Sequence, residues 1–268
     1  MMPSPLQTFT TPEPISVDLT VEFGGARLIA SDRKTTVVEV RPARDGRRAD
    51  IEAAERTRIQ FAEGRLEVRA PKPKALGLIG RPGAIDVVIQ LPSGSHVRGN
   101  GGYGDFDTEG RLGDCFFKTS YGTLKVQDVG ALTLHTSAGN ITAGRVAGVA
   151  EISSSSGEIR IEETGAPANL KTSAGDVRVE RAGDAINART AYGGIHVAHA
   201  MRGQLELATS YGDVEVGVAV GTATFVELRS NHGRVRNELD RVDDPPASGE
   251  FLKVRAQTSY GDIRIRRA

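Results

Sequence analysis

The chain has 268 residues, and its 34 basic side chains balance 34 acidic ones, so no net charge draws it toward nucleic acid or an anionic membrane. Its 32 glycines are about 12% of the chain, against a usual ~7%; with no Trp, this excludes one thick aromatic core and suits many tight turns around small interior side chains. Cys115 is the one cysteine, which excludes an intrachain disulfide framework.

Residues 1–14, "MMPSPLQTFTTPEP", carry no basic segment followed by an apolar run, hence no recognisable signal peptide. They read as a disordered tail and the chain as cytoplasmic, with export by another route left open. Over 15–100, "ISVDLTVEF", "TTVVEVRP", "RIQFAEGRLEVRAP" and "AIDVVIQLP" alternate in the manner of strands. They are expected to form irregular first β-coils and an N-terminal cap. "RRADIEAAERT" (47–57) predicts a short helix started by Asp50, and "PKPKALGLIGRPG" (71–83) a mobile loop. The longest apolar stretches, such as "DVVIQL" (86–91), are strand-sized and too short to cross a bilayer.

From 101 to 268 one phrase recurs: "KTSAGDVRV" (171–179), "ATSYGDVEV" (208–216), "QTSYGDIRI" (257–265). Aligned on its glycine, it gives Gly104, Gly122, Gly139, Gly157, Gly175, Gly193, Gly212, Gly233 and Gly261, a period near 18 that lengthens toward the end. Positions two and four after the glycine are apolar, such as Ile159 and Ile161 or Val177 and Val179, and so are positions seven and five before, such as Ile186 and Ala188. The residues between are polar. Spacing by two on both sides of a glycine means two strands, each with one buried face. A second set of turns falls at Gly113, Gly130, Gly148, Gly165, Gly183 and Gly203. The last, longer step contains "ELDRVDDPPASGE" (238–250), read as an exposed loop insertion.

The period-two pattern excludes a helical repeat, and a propeller blade needs about twice the length. What remains is all-β: a single-stranded parallel β-solenoid (β-helix) of about 18 residues and two strands per coil, right-handed favoured by the rule for parallel crossovers; the left-handed hexapeptide helix, which also takes about 18 residues per turn, ranks second because its six-residue rhythm is missing.

Tyr192, Tyr211 and Tyr260 precede three of these glycines, and Asp213 and Asp262 follow two of them. Stacked coils place these residues in rows, which as a site would be a ligand or glycan strip. As turn chemistry, the carboxylates accept backbone N–H groups at the corner and the Ser/Thr hydroxyls two and three before the glycine are expected to do likewise; Ala and Ser in the middle coils favour this second reading. The outward column Arg160, Arg178, His196, beside Glu151 and Lys171, is the one cluster of the kind a polysaccharide-cleaving solenoid uses, and it also reads as an ordinary ladder of opposite charges. His196 and His199, three apart on a strand, are expected on opposite faces, which serves no metal. Cys115 lies in an inward column and is expected to be buried and unreactive. No catalytic residue, metal or cofactor is assigned, and no basic run interleaved with aromatics points to nucleic acid.

The recurring "TSxGDVxV", with "VVIQLPSGSHVRG" (87–99) and "RTRIQFAEGRLEVRAP" (56–71) upstream, resembles a bacterial β-solenoid family known as putative adhesins, over about residue 15 to the end. The resemblance implies the fold and no reaction. The expected function is a non-enzymatic structural or adhesin-like scaffold for a protein or glycan partner. Two alternatives are end-to-end self-assembly through an open edge at the C-terminal "DIRIRRA", and polysaccharide binding or cleavage.

Overall fold

A computed structural model describes residues 6–72, 82–239 and 251–268. The described residues form an all-β, highly repetitive two-sheet structure with one short helix among them, and the chain divides into two compact units, Met1–Ser137 and Ala138–Ala268. Most of the predicted loops at 71–83 and 238–250 lie outside the described residues.

In the first unit β1 (Leu6–Thr10), β2 (Ser16–Phe23), β3 (Ala26–Ser31) and β4 (Thr35–Pro42) precede helix α1 (Arg48–Glu55). Then come β5 (Arg58–Ala62), β6 (Arg65–Arg69), β7 (Ile85–Pro92), β8 (His96–Tyr103), β9 (Phe106–Glu109), β10 (Cys115–Lys118), β11 (Leu124–Val129) and β12 (Leu132–Ala138). One sheet runs β1-β4-β7-β3-β9-β11 and the other β5-β6-β2-β8-β10-β12. From β8 to β12 consecutive strands alternate between the sheets, β8 pairing in parallel with β10, β9 with β11 and β10 with β12, which is the coil-like pairing expected from the repeat.

Both sheets end in antiparallel pairs, β1 on β4 and β5 on β6, so parallel stacking stops there. The rings of Phe9 and Phe61, one from each edge strand, meet at 5.1 Å. The chain over 6–10 is thus a strand, where a disordered tail was expected: its alternating Gln7 and Phe9 find a partner strand and a partner ring that no local pattern reveals.

Helix α1 starts at Arg48, with Asp50 inside its first turn rather than at its start. Asp50 is fully buried, accepts the backbone N–H of Ala84 at 2.8 Å, and pairs with Arg44 at 2.9 Å and Arg47 at 2.7 Å. Burial pushes its carboxyl up, but the Ala84 N–H and the two guanidinium groups outweigh burial and hold it below its usual range.

The second unit contains β13 (Ile141–Val146), β14 (Ala150–Ser156), β15 (Ile159–Thr164), β16 (Ala168–Lys171), β17 (Val177–Ala182), β18 (Ile186–Arg189) and β19 (Ile195–Ala200). It continues with β20 (Gly203–Tyr211), β21 (Val214–Val218), β22 (Ala223–His232), β23 (Val235–Asn237), β24 (Phe251–Tyr260) and β25 (Ile263–Arg267). Its sheets run β13-β15-β17-β19-β21-β25-β23 and β14-β16-β18-β20-β24-β22, all parallel. The predicted columns are the observed registers: Ile159, Val177, Ile195 and Val214 align in one sheet, and Ala168, Ile186 and Leu205 in the other, all buried.

Strict alternation fails at one point. In β13, β15, β17 and β19 the first, third and sixth residues face inward, so Val146, Thr164, Ala182 and Ala200 form a further buried column. His196 and His199 consequently both face outward, correcting the expectation of opposite faces.

Chain order and stacking order differ at two places. The first coil, β2–β3, lies between β6–β7 and β8–β9, and the last, β24–β25, between β20–β21 and β22–β23. The expected open edge at "DIRIRRA" is therefore absent. The C-terminal coil is paired on both sides, and the edge strands are β22 and β23.

Candidate functional site

The glycine corner is built from four side-by-side ladders. At Gly157, Gly175, Gly193, Gly212 and Gly261, φ lies between 144° and 154°, a backbone region almost closed to other residues. Added to any of these five, a Cβ would lie 2.0–2.2 Å from the carbonyl oxygen of the corresponding glycine in the neighbouring coil. The coils approach closely because the glycines lack side chains.

Three residues before each glycine, a buried hydroxyl donates to that same neighbouring carbonyl. Thr172 bonds the Gly157 oxygen (3.2 Å), Thr190 that of Gly175 (2.9 Å), Thr209 that of Gly193 (2.8 Å) and Thr258 that of Gly212 (3.0 Å). The sequence reading placed Ser and Thr at the corner as acceptors; they are donors. One residue after the glycine, a side-chain oxygen accepts the N–H of its counterpart in the next coil. Asn140 accepts from Glu158 (3.0 Å), Asp176 from Gly194 (2.9 Å), Asp213 from Asp262 (2.7 Å) and Asp262 from Arg234 (2.8 Å). Asp105 does the same for Thr123 in the first unit (2.7 Å).

The residue before the glycine forms the aromatic column. Tyr192 stacks on Tyr211 at 5.1 Å, Tyr211 on Tyr260 at 5.0 Å and Tyr260 on His232 at 4.5 Å, with ring planes within 11° of parallel. The structure therefore brings all five predicted strip residues to one corner. It adds His232, and it places Tyr260 between Tyr211 and His232 because β24 is inserted there. Interior rings have both faces covered by neighbours.

The first unit has its own stack, Phe23–Tyr103–Tyr121, at 5.4 and 4.9 Å. Phe23 was missed by sequence reasoning, although its signal is present: "VDLTVEFGGARL" (17–28) sets Phe23 before Gly24, apolar Val17, Leu19 and Val21 before the corner, and Ala26 and Leu28 after it. Gly24 has φ 116°, as a corner glycine should.

The outward column and its two expected neighbours do not form one cluster. Arg160, Arg178 and His196 align in one sheet, whereas Glu151 and Lys171 lie on β14 and β16 of the other. The aligned groups are paired along and across the coils. Arg178 meets Asp176 (2.8 Å) and Glu158 (3.3 Å), Arg160 meets Glu180 (3.3 Å), and His196 Nδ1 lies 3.3 Å from Glu215. Cys115 is buried, and burial pushes its thiol up to about 12. Among the described residues, no group of three or more His, Cys, Asp or Glu is placed to hold a metal, and no helix is long and apolar enough to cross a membrane.

A corner of this kind, repeated through two parallel sheets, defines a repeat domain whose motif builds structure. The chain belongs to the Toastrack DUF4097 family, whose model matches residues 28–266. No curated protein matches it. Among solved structures it is similar to a putative adhesin from Parabacteroides merdae, 14% identical over 97% of this chain and 96% of that one, with a TM-score of 0.46. A putative adhesin from Bacteroides fragilis is 13% identical over the same shares, TM-score 0.45. A putative cell adhesion protein from Clostridium sporogenes is 10% identical over 98% and 99%, TM-score 0.29. These names run against the cytoplasmic location expected from the N-terminal sequence, and that expectation is withdrawn.

Proposed function

We propose that this chain is a non-enzymatic interaction scaffold: a right-handed β-solenoid whose outer faces present fixed columns of side chains to a protein or glycan partner. What supports the reading is that the outward groups of the regular coils are held by one another, coil to coil. Tyrosines stack on tyrosines, carboxylates cap neighbouring N–H groups, and arginines pair with acids. Each exposed ion pair contributes only a fraction of a kcal/mol, but together the ladders fix side chains at coil spacing, so binding a partner immobilises little.

The test passes bacterial surface polysaccharides and extracellular-matrix proteins over the immobilised chain, followed by chromatography of the released material. Retention of a polymer that elutes unchanged is expected. New reducing ends or unsaturated sugar products would overturn the non-enzymatic reading, and so would failure to retain any of them.

A second reading, end-to-end self-assembly, rests on the outer coil. Val226 and Leu228 are only partly covered and Val235 is exposed, although their counterparts in other coils are buried. Light scattering on size-exclusion fractions tests it, and a monomer at every concentration would refute it.

A further inference from the structure

The last coil in stacking order, β22–β23, ends both sheets of the second unit, and among the described residues nothing pairs with its outer edge. β22 is 10 residues long and carries neither proline nor lysine, two of the usual guards of an exposed strand edge. In the coils before it, the N–H of each inward residue points to the coil that follows. Ala150 donates to Pro167 (3.1 Å), Ala168 to Ala185 (2.9 Å) and Thr190 to Ala208 (3.0 Å). On β22 the inward positions are held by Thr224, Val226, Leu228 and Ser230. Their N–H groups accordingly face away from β24, at the open edge.

The outward side chains of the same strand include Phe225, Glu227 and Arg229, all exposed. Glu227 pairs with Arg255 of the neighbouring coil at 2.9 Å, whereas Arg229 lies beside Gln257 and has no acidic partner among the described residues. These charges discriminate between the ways in which β22 can pair antiparallel with the β22 of a second copy, inward residues kept on one face. Centred on Glu227, the register sets Glu227 against Glu227; centred on Arg229, it sets Arg229 against Arg229. Like charges directly opposite are destabilising. Centred on Val226, it pairs neither charge with its opposite. Centred on Leu228, it sets Glu227 against Arg229 twice, once on each side of the axis. In that register Leu228 exchanges N–H and C=O bonds with its own counterpart, and the charged residues fall at the positions between, where side chains on paired strands come closest.

We propose that β22 pairs antiparallel with its counterpart in a second copy of this chain, about a two-fold axis at Leu228; this rests on the self-assembly reading and gives it a geometry. The half-covered Val226 and Leu228 then gain a neighbouring strand, as their buried counterparts Val254 and Ala256 have on both sides. Each Glu227 comes to lie between Arg255 of its own chain and Arg229 of the second copy. A two-fold contact is self-complementary and uses the same edge of both copies, so assembly through it closes at a dimer and builds no filament. One strand edge with exposed ion pairs makes a weak interface, and dissociation in the micromolar-to-millimolar range is expected.

Sedimentation equilibrium of the full chain at low salt, from about 10 μM to about 1 mM, tests this with two variants, Arg229→Glu and Glu227→Arg. Both change exposed side chains, so the fold is kept, as circular dichroism will verify. The intact chain is expected to show a monomer–dimer equilibrium. Each variant alone sets like charges opposite one another and should weaken dimerisation by roughly tenfold or more. Mixed together, the two variants restore both opposite-charge pairs and should form a heterodimer, which a merely structural role for either residue would not produce. Dimers that persist unchanged in Arg229→Glu, variants that fail to combine, or growth beyond the dimer would overturn this interface while leaving self-assembly by another surface. A monomer at every concentration would overturn both.

Discussion

Replacing Gly175 by alanine places one methyl group where the coils are closest. Gly175 has φ 144°, which costs a residue with a side chain about 1–3 kcal/mol. Its Cβ would lie 2.2 Å from the Gly157 oxygen and 2.5 Å from the carbonyl carbon, both backbone atoms that cannot turn aside. The two coils must therefore part locally, weakening bonds such as Gly157 N–H to Ala174 O (2.8 Å) and Thr172 Oγ1 to Gly157 O (3.2 Å), at about 1 kcal/mol each. A total near 3–5 kcal/mol follows. Gly46→Ala is the control: φ is 81° and nothing lies within 4 Å of its added Cβ, so only the backbone term of about 1–2 kcal/mol applies. Urea unfolding followed by far-UV circular dichroism measures both, and hydrogen exchange locates the loss in the coils flanking Gly175. If Gly175→Ala costs no more than Gly46→Ala, close coil approach is not what requires the glycine ladder, and the account of the repeat given above is wrong.

Thr190→Val keeps the shape but removes the donor to the Gly175 carbonyl at 2.9 Å, and is expected to cost about 1–2 kcal/mol in the same urea titration. Asp50 has a folded pKa below its unfolded value of about 3.9, so its stabilisation is complete above that value and is lost as pH falls through the lower folded one. Asp50→Asn should therefore lower stability at pH 7 by about 2 kcal/mol, less than for a wholly buried pair because Arg44 is half exposed, and should flatten the acid limb below pH ~4 in urea midpoints measured against pH. Cys115, with its thiol near 12, should resist a thiol-reactive disulfide reagent at pH 8 in the folded chain and react promptly in denaturant; rapid reaction of the native protein would refute its burial.

The regular coils were legible because their cause is local and repeated. One corner needs glycine, its flanks need alternating apolar residues, and the columns Ile159, Val177, Ile195 and Ala168, Ile186, Leu205 came out in the register the alignment gave. The buried column through Thr164, Ala182 and Ala200 was not legible, since it lies where the strands break period two and where alanine gives no apolar signal of its own. Phe23 was overlooked because the coil it belongs to is separated from the periodic stretch by the long excursion from β4 to β7.

The sequence alone determined the repeat, its two-sheet register and the identity of the corner residues, because each follows from steric and hydrogen-bonding needs that recur every coil. The tertiary structure alone decided which coil lies beside which. Parallel pairing accepts any coil with the right columns, and β22–β23 and β24–β25 both carry them, so chain order does not settle that β24–β25 lies inside. That choice sets Tyr260 between Tyr211 and His232 and makes β22 and β23 the edge. Such neighbour relations are fixed by packing between segments far apart in the chain, which no local pattern encodes.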